Sequence, residues 1–187
     1  MMSEQTTTSE HLITGEELLR MPDTERCELV QGQIVNMSPT GWKHGRIEYL
    51  LARHLDDFVQ DQHLGTVVVG EVGMYVARDP DTVRAADIVF ISTEGLEKAS
   101  PDGYLDVSPD LVVEIMSPTN RWMDVRQKIE EYLAAGVGQV WIVEPENQSV
   151  QVYRAPDAVH TFSGPDVLHG EGMLAGFSLP LEDLFAE

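Results

Sequence analysis

The chain has 187 residues, enough for one domain with a substantial core, and its hydrophobic share of 42% lies in the globular range. Its 12 Lys and Arg against 32 Asp and Glu give a net charge of -20, which works against nonspecific adhesion to polyanions. The single cysteine, Cys27, excludes an internal disulfide and suits a reducing cytoplasm, the expected location. The opening "MMSEQTTTSEH" lacks the basic and apolar regions of a secretion signal, and no apolar run approaches the roughly 20 residues of a membrane span, so no membrane association is expected. The polar start divides the chain into a disordered tail over residues 1–12 and a single domain over 13–187.

Thr14 fits the N-cap of a short helix, "GEELLRM", that Pro22 stops. "CELVQGQIVNM" has two apolar arms around Gln31-Gly32 and reads as a hairpin, and "SPTGW" is a loop. From Lys43 to Gln62 the pattern is helical, with Ile47, Leu51, Leu55, Phe58 and Val59 on one apolar stripe. His44 and Glu48 project into that stripe and, four residues apart, can touch. They are either a sealed pair or the edge of a site. "GTVVVGEVGMYVA" gives two short strands or one bent one, with Gly70 and Gly73 as possible bulge points and Glu71 as an acid among apolar residues. After a turn at Asp79–Asp81 comes the strand "ADIVFIS", which Asp87 opens, and then a loop.

"LVVEIMS" is a strand and "TNRWMDVRQKIEEYLAAG" a helix ended by Gly136. The helix stripe is Trp122, Val125, Ile129, Tyr132 and Leu133, with Arg121 and Lys128 on one flank. "QVWIVEP" and "SVQVYRA" are strands around a turn at residues 145–148, and "GEGMLAGFSLPLEDLF" gives a short strand and a last helical turn. "DIVFI", "LVVEIM" and "VWIV" are apolar on both faces, which points to a central sheet covered on both sides. Strand, helix and strand over 111–143 form a βαβ-like unit with parallel neighbours, so the expected class is α/β with a mixed sheet flanked by helices and an N-terminal hairpin.

Glu114 sits in the middle of one of these apolar strands, where an unpaired carboxylate costs several kcal/mol or takes up a proton. Asp87 has the same setting on a neighbouring strand, and two acids on adjacent strands make a hard-oxygen site suited to Mg²⁺ or Mn²⁺. Lys128 can reach back toward Glu114 or pair with Asp124 one turn earlier. The six histidines have no zinc spacing, and there is no G-x-G-x-x-G, phosphate loop or G-x-S-x-G elbow.

"TVRAADIVFIS" followed by "SPDLVVEIMSPTNRWMDVRQKIEEYLAAGVGQVWIVEPENQSVQVYR" resembles the Uma-two family of restriction-endonuclease-like proteins, in the PD-(D/E)xK nuclease superfamily. The resemblance covers about residues 14–185 and is most specific over 108–154. It implies a restriction-endonuclease-like fold and a metal-dependent nuclease in which Asp87, Glu114 and the Ile115 carbonyl bind Mg²⁺. Met116 stands where that superfamily carries its lysine, which makes Lys128, on the following helix, the matching residue. Asp87, Glu114 and Lys128 are then the catalytic set, Tyr132 buttresses Lys128, His44 and Glu48 sit at the rim, and Glu71 is a further supporting acid. Ala86 replaces the usual proline before the first acid, a change confined to backbone shape.

The charge is awkward for a DNA enzyme, since duplex binding depends on cations meeting phosphates. Lys43, Arg46 and Arg53 on the first long helix and Arg121, Arg126 and Lys128 on the second could form a local basic strip, with Lys43, Arg46, Arg121 and Arg126 as the candidate nucleic-acid contacts. The alternatives are a nuclease fold that no longer cuts and serves as a binding or regulatory module, and a structural domain whose acids are merely paired. The resemblance also implies a homodimer, with the hairpin at 27–37 or the C-terminal "GFSLPLEDLF" as candidate contacts.

Overall fold

Residues 11–22 and 26–186 are described by a computed structural model, so most of the expected disordered tail, residues 1–10, lies outside the described residues. Thr14 caps the first helix, α1 (Gly15–Arg20): its hydroxyl accepts from the Glu17 amide at 3.2 Å and the Glu17 carboxylate accepts from the Thr14 amide at 2.8 Å. The hairpin follows as β1 (Cys27–Val30) and β2 (Gln33–Asn36), joined by Gln31 and Gly32 at φ 51° and 75°, the left-handed pair that a two-residue hairpin turn requires. Next come α2 (Trp42–Asp61), β3 (Gly65–Ala77), β4 (Thr82–Ser92), the short α3 (Thr93–Leu96) and β5 (Leu111–Ile115). Then α4 (Trp122–Ala134), β6 (Gln139–Glu144), β7 (Ser149–Ala155), β8 (Ala158–Ser163), β9 (Val167–His169), β10 (Ser178–Pro180) and α5 (Leu181–Leu184) complete the chain.

One mixed sheet of eight strands runs β2-β1-β4-β5-β6-β7-β8, with β3 also on β4. The β5–β6 pair is parallel, as a strand–helix–strand crossover demands, and the other pairs are antiparallel. On one face α2 buries Ile47, Leu51, Leu55 and Val59 against sheet residues such as Phe90, Val113 and Trp141, and α5 with the small β9–β10 sheet closes that layer. On the other face α4 buries Val125, Ile129 and Tyr132 against Val89, Val112 and Ile142. Trp122, expected on that apolar stripe, is instead 44% exposed, and its neighbour Met123 in the first turn of α4 is exposed as well.

β4 organises the molecule. Val83 pairs with Tyr75 of β3 and Leu29 of β1, while Ile88 pairs with Val69 of β3 and Val113 of β5. β3 therefore covers one edge throughout, and β1 and β5 share the other edge at its two ends. Between them the edge over residues 84–87 is bare of strand partners. On the β3 side, Val69 pairs with Ile88 and Val72 with Ala86, so Gly70 and Glu71 together face Asp87. This is a bulge, at φ 90° and 60°, and β3 is one bent strand rather than two. Of the two glycines expected at bends, Gly73 serves a different purpose, since a side chain there would strike the Tyr104 ring.

β8 and the short β9 are strands that the sequence pattern did not announce; β8 extends the sheet with nearly every side chain exposed and carries no apolar alternation. Among the described residues no helix is long and apolar enough to cross a membrane. Leu51, wholly buried on α2, and Tyr49, 62% exposed on the same helix, set the scale of the α2 packing. Leu51→Ala is expected to lower the unfolding free energy by about 2–5 kcal/mol, and Tyr49→Ala by less than about 0.5 kcal/mol, in urea titrations of the two variants.

Candidate active site

The bare edge of β4 opens a cleft of about 660 Å³ whose wall includes Glu28, Arg84, Asp87, Glu114, Asn120 and Lys128. Two groups of charged side chains meet there, one on each side of the point where β4 and β5 part.

The first group centres on Asp87. Its Oδ2 accepts the Ile115 amide at 2.7 Å and lies 3.2 Å from His44 Nε2. The bulge explains the aim of this side chain: Ala86 packs on the α4 side of the sheet and Ile88 on the α2 side, so alternation is inverted across Asp87. The same bulge fixes Glu48, whose Oε1 accepts the Gly70 amide at 3.2 Å. His44, Glu48 and Asp87 offer ligand atoms within 4.8 Å of one another. His44 is buried rather than at the rim, and its Nδ1 finds no hydrogen-bond partner among the described residues, with Glu48 Oε2 at 3.9 Å. Burial works against a charge on this imidazole, but the bond and charge of Asp87, with Glu48 adding, outweigh it and raise its pKa above the ordinary value. Burial and then the Asp87 charge raise the Glu48 carboxyl.

The second group is a ladder of alternating charge along α4. Lys128 Nζ lies 3.2 Å from both oxygens of Glu114 and 2.8 Å from Glu28 Oε1. Tyr132, one turn on, donates its hydroxyl to Glu114 Oε1 at 2.5 Å. Glu28 also accepts Arg84 Nη1 at 2.7 Å and the Ala85 amide at 3.1 Å, while Arg84 Nε donates to Glu131 at 2.6 Å. Glu28 and Arg84 are cross-strand neighbours, one step beyond the Leu29–Val83 pair. Burial pushes the Glu114 carboxyl up to about 7, opposed by Lys128 and assisted by the charges of Asp87 and Glu28. Burial also works against charge on Glu28, but Lys128 and Arg84 outweigh it and hold this carboxyl below its ordinary value. Lys128 is raised in turn, because Glu114 and Glu28 overcome its desolvation.

The residues expected from sequence therefore come together unevenly. Asp87, Glu114, Ile115, Lys128, His44 and Glu71 all line the cleft, and Tyr132 and Glu48 support it from behind. Glu71 is tied into an ion pair with Arg26, which also donates to the Ser38 carbonyl at 3.1 Å. Lys43, Arg46, Arg121 and Arg126 lie on exposed helix faces and none of them lines the cleft; Arg126 pairs with Glu130 at 3.3 Å. Met116, where a lysine would be expected, packs against the α4-side core. Sequence reasoning missed Glu28 and Arg84. The signal was present, since Glu28 in "CELV" is as anomalous as Glu114 in "LVVEI".

The donor set suits a divalent cation. Carboxylates outnumber cations, the ligands are oxygens with one imidazole, and a buried ring nitrogen is unsatisfied. Such a set favours Mn²⁺ or Mg²⁺ over the softer metals that thiolates select. The hydrogen bond from the Ile115 amide to Asp87 ties the first group to β5, the strand that carries Glu114 of the second.

Comparison with known proteins bears on the fold and the family. Residues 16–182 match the family model Uma2, described as "Putative restriction endonuclease". A crystal structure of a "putative nuclease" from Anabaena variabilis has the same fold, with a TM-score of 0.79 at 23% identity over 93% of this chain and 98% of that one. No curated protein matches the chain. Because the matched segment runs from α1 to α5 and takes in every strand of the sheet, the chain belongs to the Uma2 family of restriction-endonuclease-like proteins.

Proposed function

We propose that the protein is a divalent-metal-dependent endonuclease that hydrolyses DNA phosphodiester bonds. The observation that carries this is the placing of Asp87 and Glu114 on the two strands that part at the cleft, with Lys128 held against Glu114. Asp87 would hold Mg²⁺ or Mn²⁺ together with Glu114 and the Ile115 carbonyl, which share its cleft; His44 and Glu48 offer ligand atoms within 4.8 Å of Asp87, a group that does not include Glu114. A divalent ion supplies Lewis-acid polarisation of the phosphate and acidifies the attacking water. Lys128 presents its ammonium to the cleft, where it orients water and offsets charge that develops on the phosphorane-like transition state. Tyr132 fixes the Glu114 carboxylate through its short bond, and the bulge amide of Gly70 fixes Glu48.

A catalytically silent binding module is the second reading. It is favoured by the pairing of all three cations in the cleft wall, Arg26, Arg84 and Lys128, with carboxylates. With a net charge of -20, DNA binding rests on the exposed Lys43, Arg46, Arg121 and Arg126, and is expected to be weak and salt-sensitive. The expected homodimer would use β2, the edge strand of the sheet, where Ile34 is 38% and Val35 45% exposed.

Mn²⁺ is expected to raise the melting temperature of the wild type and not of Glu114→Ala, and Lys128→Ala is expected to lower cleavage of duplex DNA by about 100-fold or more. No thermal shift in the wild type would remove the metal, and equal activity of wild type and Lys128→Ala would remove the role of the lysine.

The pH dependence has a definite sign. With its carboxyl raised to about 7, Glu114 is protonated below that pH and must release the proton to bind metal. Mn²⁺ affinity should therefore fall by about fivefold from pH 7 to pH 6, approach about tenfold per unit below that, and level off toward pH 8. Calorimetric titrations at these pH values check this, and an affinity constant across the range contradicts it. For the dimer, sedimentation should show Val35→Lys shifting the chain toward monomer; a wild type that is already monomeric at all concentrations disposes of the idea.

A further inference from the structure

A lysine carried by the strand would be aimed by the sheet itself. Here Met116 occupies that place, and the ammonium comes from α4 on a long flexible side chain. Something else must aim it. Glu114 touches Lys128, but in the reading proposed above that carboxylate turns to a metal and cannot be the fixed point. The other contact is shorter. Glu28 Oε1 lies 2.8 Å from Nζ, against 3.2 Å for each Glu114 oxygen. Glu28 is itself only 4% exposed, and its second oxygen is held by Arg84, which Glu131 braces from α4.

We infer that Glu28, on the N-terminal hairpin, is the positioning residue for Lys128: it holds the ammonium in the cleft, charged, independently of Glu114. The geometry serves this role well. Glu28 occupies the bare edge of β4, where the Ala85 amide donates to the same oxygen that Lys128 approaches, so backbone and Arg84 fix the carboxylate in place. Lys128 and Glu131 stand three residues apart on α4 and engage the cross-strand pair Glu28 and Arg84 side by side. The hairpin, remote in sequence from the strands that carry the acids, thereby becomes part of the active site.

This inference rests on the nuclease reading for its kinetic test and has a second readout that does not. Glu28→Gln should lower kcat for DNA cleavage in Mn²⁺ by about 10- to 100-fold, with KM and Mn²⁺ affinity unchanged. In the Lys128→Ala background the same change should cost nothing further, since a residue acting through Lys128 has no effect once Lys128 is gone. An equal loss in that background, or an unchanged kcat, overturns the inference.

The chain has only three lysines, and Lys43 and Lys98 are exposed, so a slowly exchanging ¹⁵N ammonium resonance belongs to Lys128. That resonance should be present in the wild type and lost in Glu28→Gln; its persistence unchanged overturns the inference. If the wild type cuts no DNA, the nuclease reading fails and the ammonium signal alone decides. Should Glu28→Gln not fold, Glu28→Asp, which draws the carboxylate back from Nζ while keeping its charge, is expected to weaken both readouts in the same direction.

Discussion

The structure depends on one electrostatic demand: a carboxylate in the middle of β5 must be compensated. Leaving one partner of a buried ion pair alone costs about 3–5 kcal/mol, more than a third of the stability of a marginal domain. Lys128 meets that demand, and only because α4 returns over the strand it follows. The parallel placing of β6, the length of the "SPTN" turn and the phase of α4 are all consistent with this return. Yet the ladder from Glu114 to Glu131 contains three acids and two cations, and a well-packed apolar row would give equal or greater stability. A ladder left with excess negative charge beside Asp87 and Glu48 is better understood as preparation for a further cation than as a device for stability.

The cleft itself follows from topology. β1 and β5 share one edge of β4 and leave residues 84–87 between them uncovered. An uncovered edge would ordinarily expose backbone donors, and here side chains take over: Glu28 accepts the Ala85 amide, and Asp87 in turn accepts the Ile115 amide from β5. The residues that satisfy the backbone are thus the ones that carry the charge of the site. On the opposite edge the bulge at Gly70 and Glu71 reverses the alternation of β4 at Asp87, which lets an acid flanked by core residues reach both α2 and β5.

Much of this was legible in the chain. The βαβ unit and the helix stripes follow from periodicity, and of the two partners open to Lys128, Glu114 and Asp124, the structure takes Glu114. His44 and Glu48 were visible as polar residues on an apolar stripe, although their depth was not: only the bulge on β3, which draws Asp87 toward α2, decides whether that end of the helix is rim or floor. Glu28 and Arg84 escaped for a related reason. Glu28 is a local anomaly in "CELV", but its partnership with Arg84 spans 56 residues and exists only once β1 docks on β4, so spacing does not point to the partner. β8 escaped because an exposed edge strand has no apolar period to read.

Moving a lysine from strand to helix has a physical consequence for the chemistry. On a strand the carboxylate and the ammonium would share one rigid element, and their separation would be set by the pleat. On α4 the separation depends on how the helix sits on the sheet, and therefore on the packing of Val125, Ile129 and Tyr132 against Val112 and Ile142. Tyr132 belongs to both systems, buried in that core and donating to Glu114 at 2.5 Å. A single residue thus locks helix position to carboxylate orientation, while Glu28 locks the ammonium to the far side of the cleft. With both ends fixed, the ammonium and the acids are held at a separation that the fold determines before any ligand arrives, the preorganisation that the proposed nuclease reading would need for electrostatic catalysis.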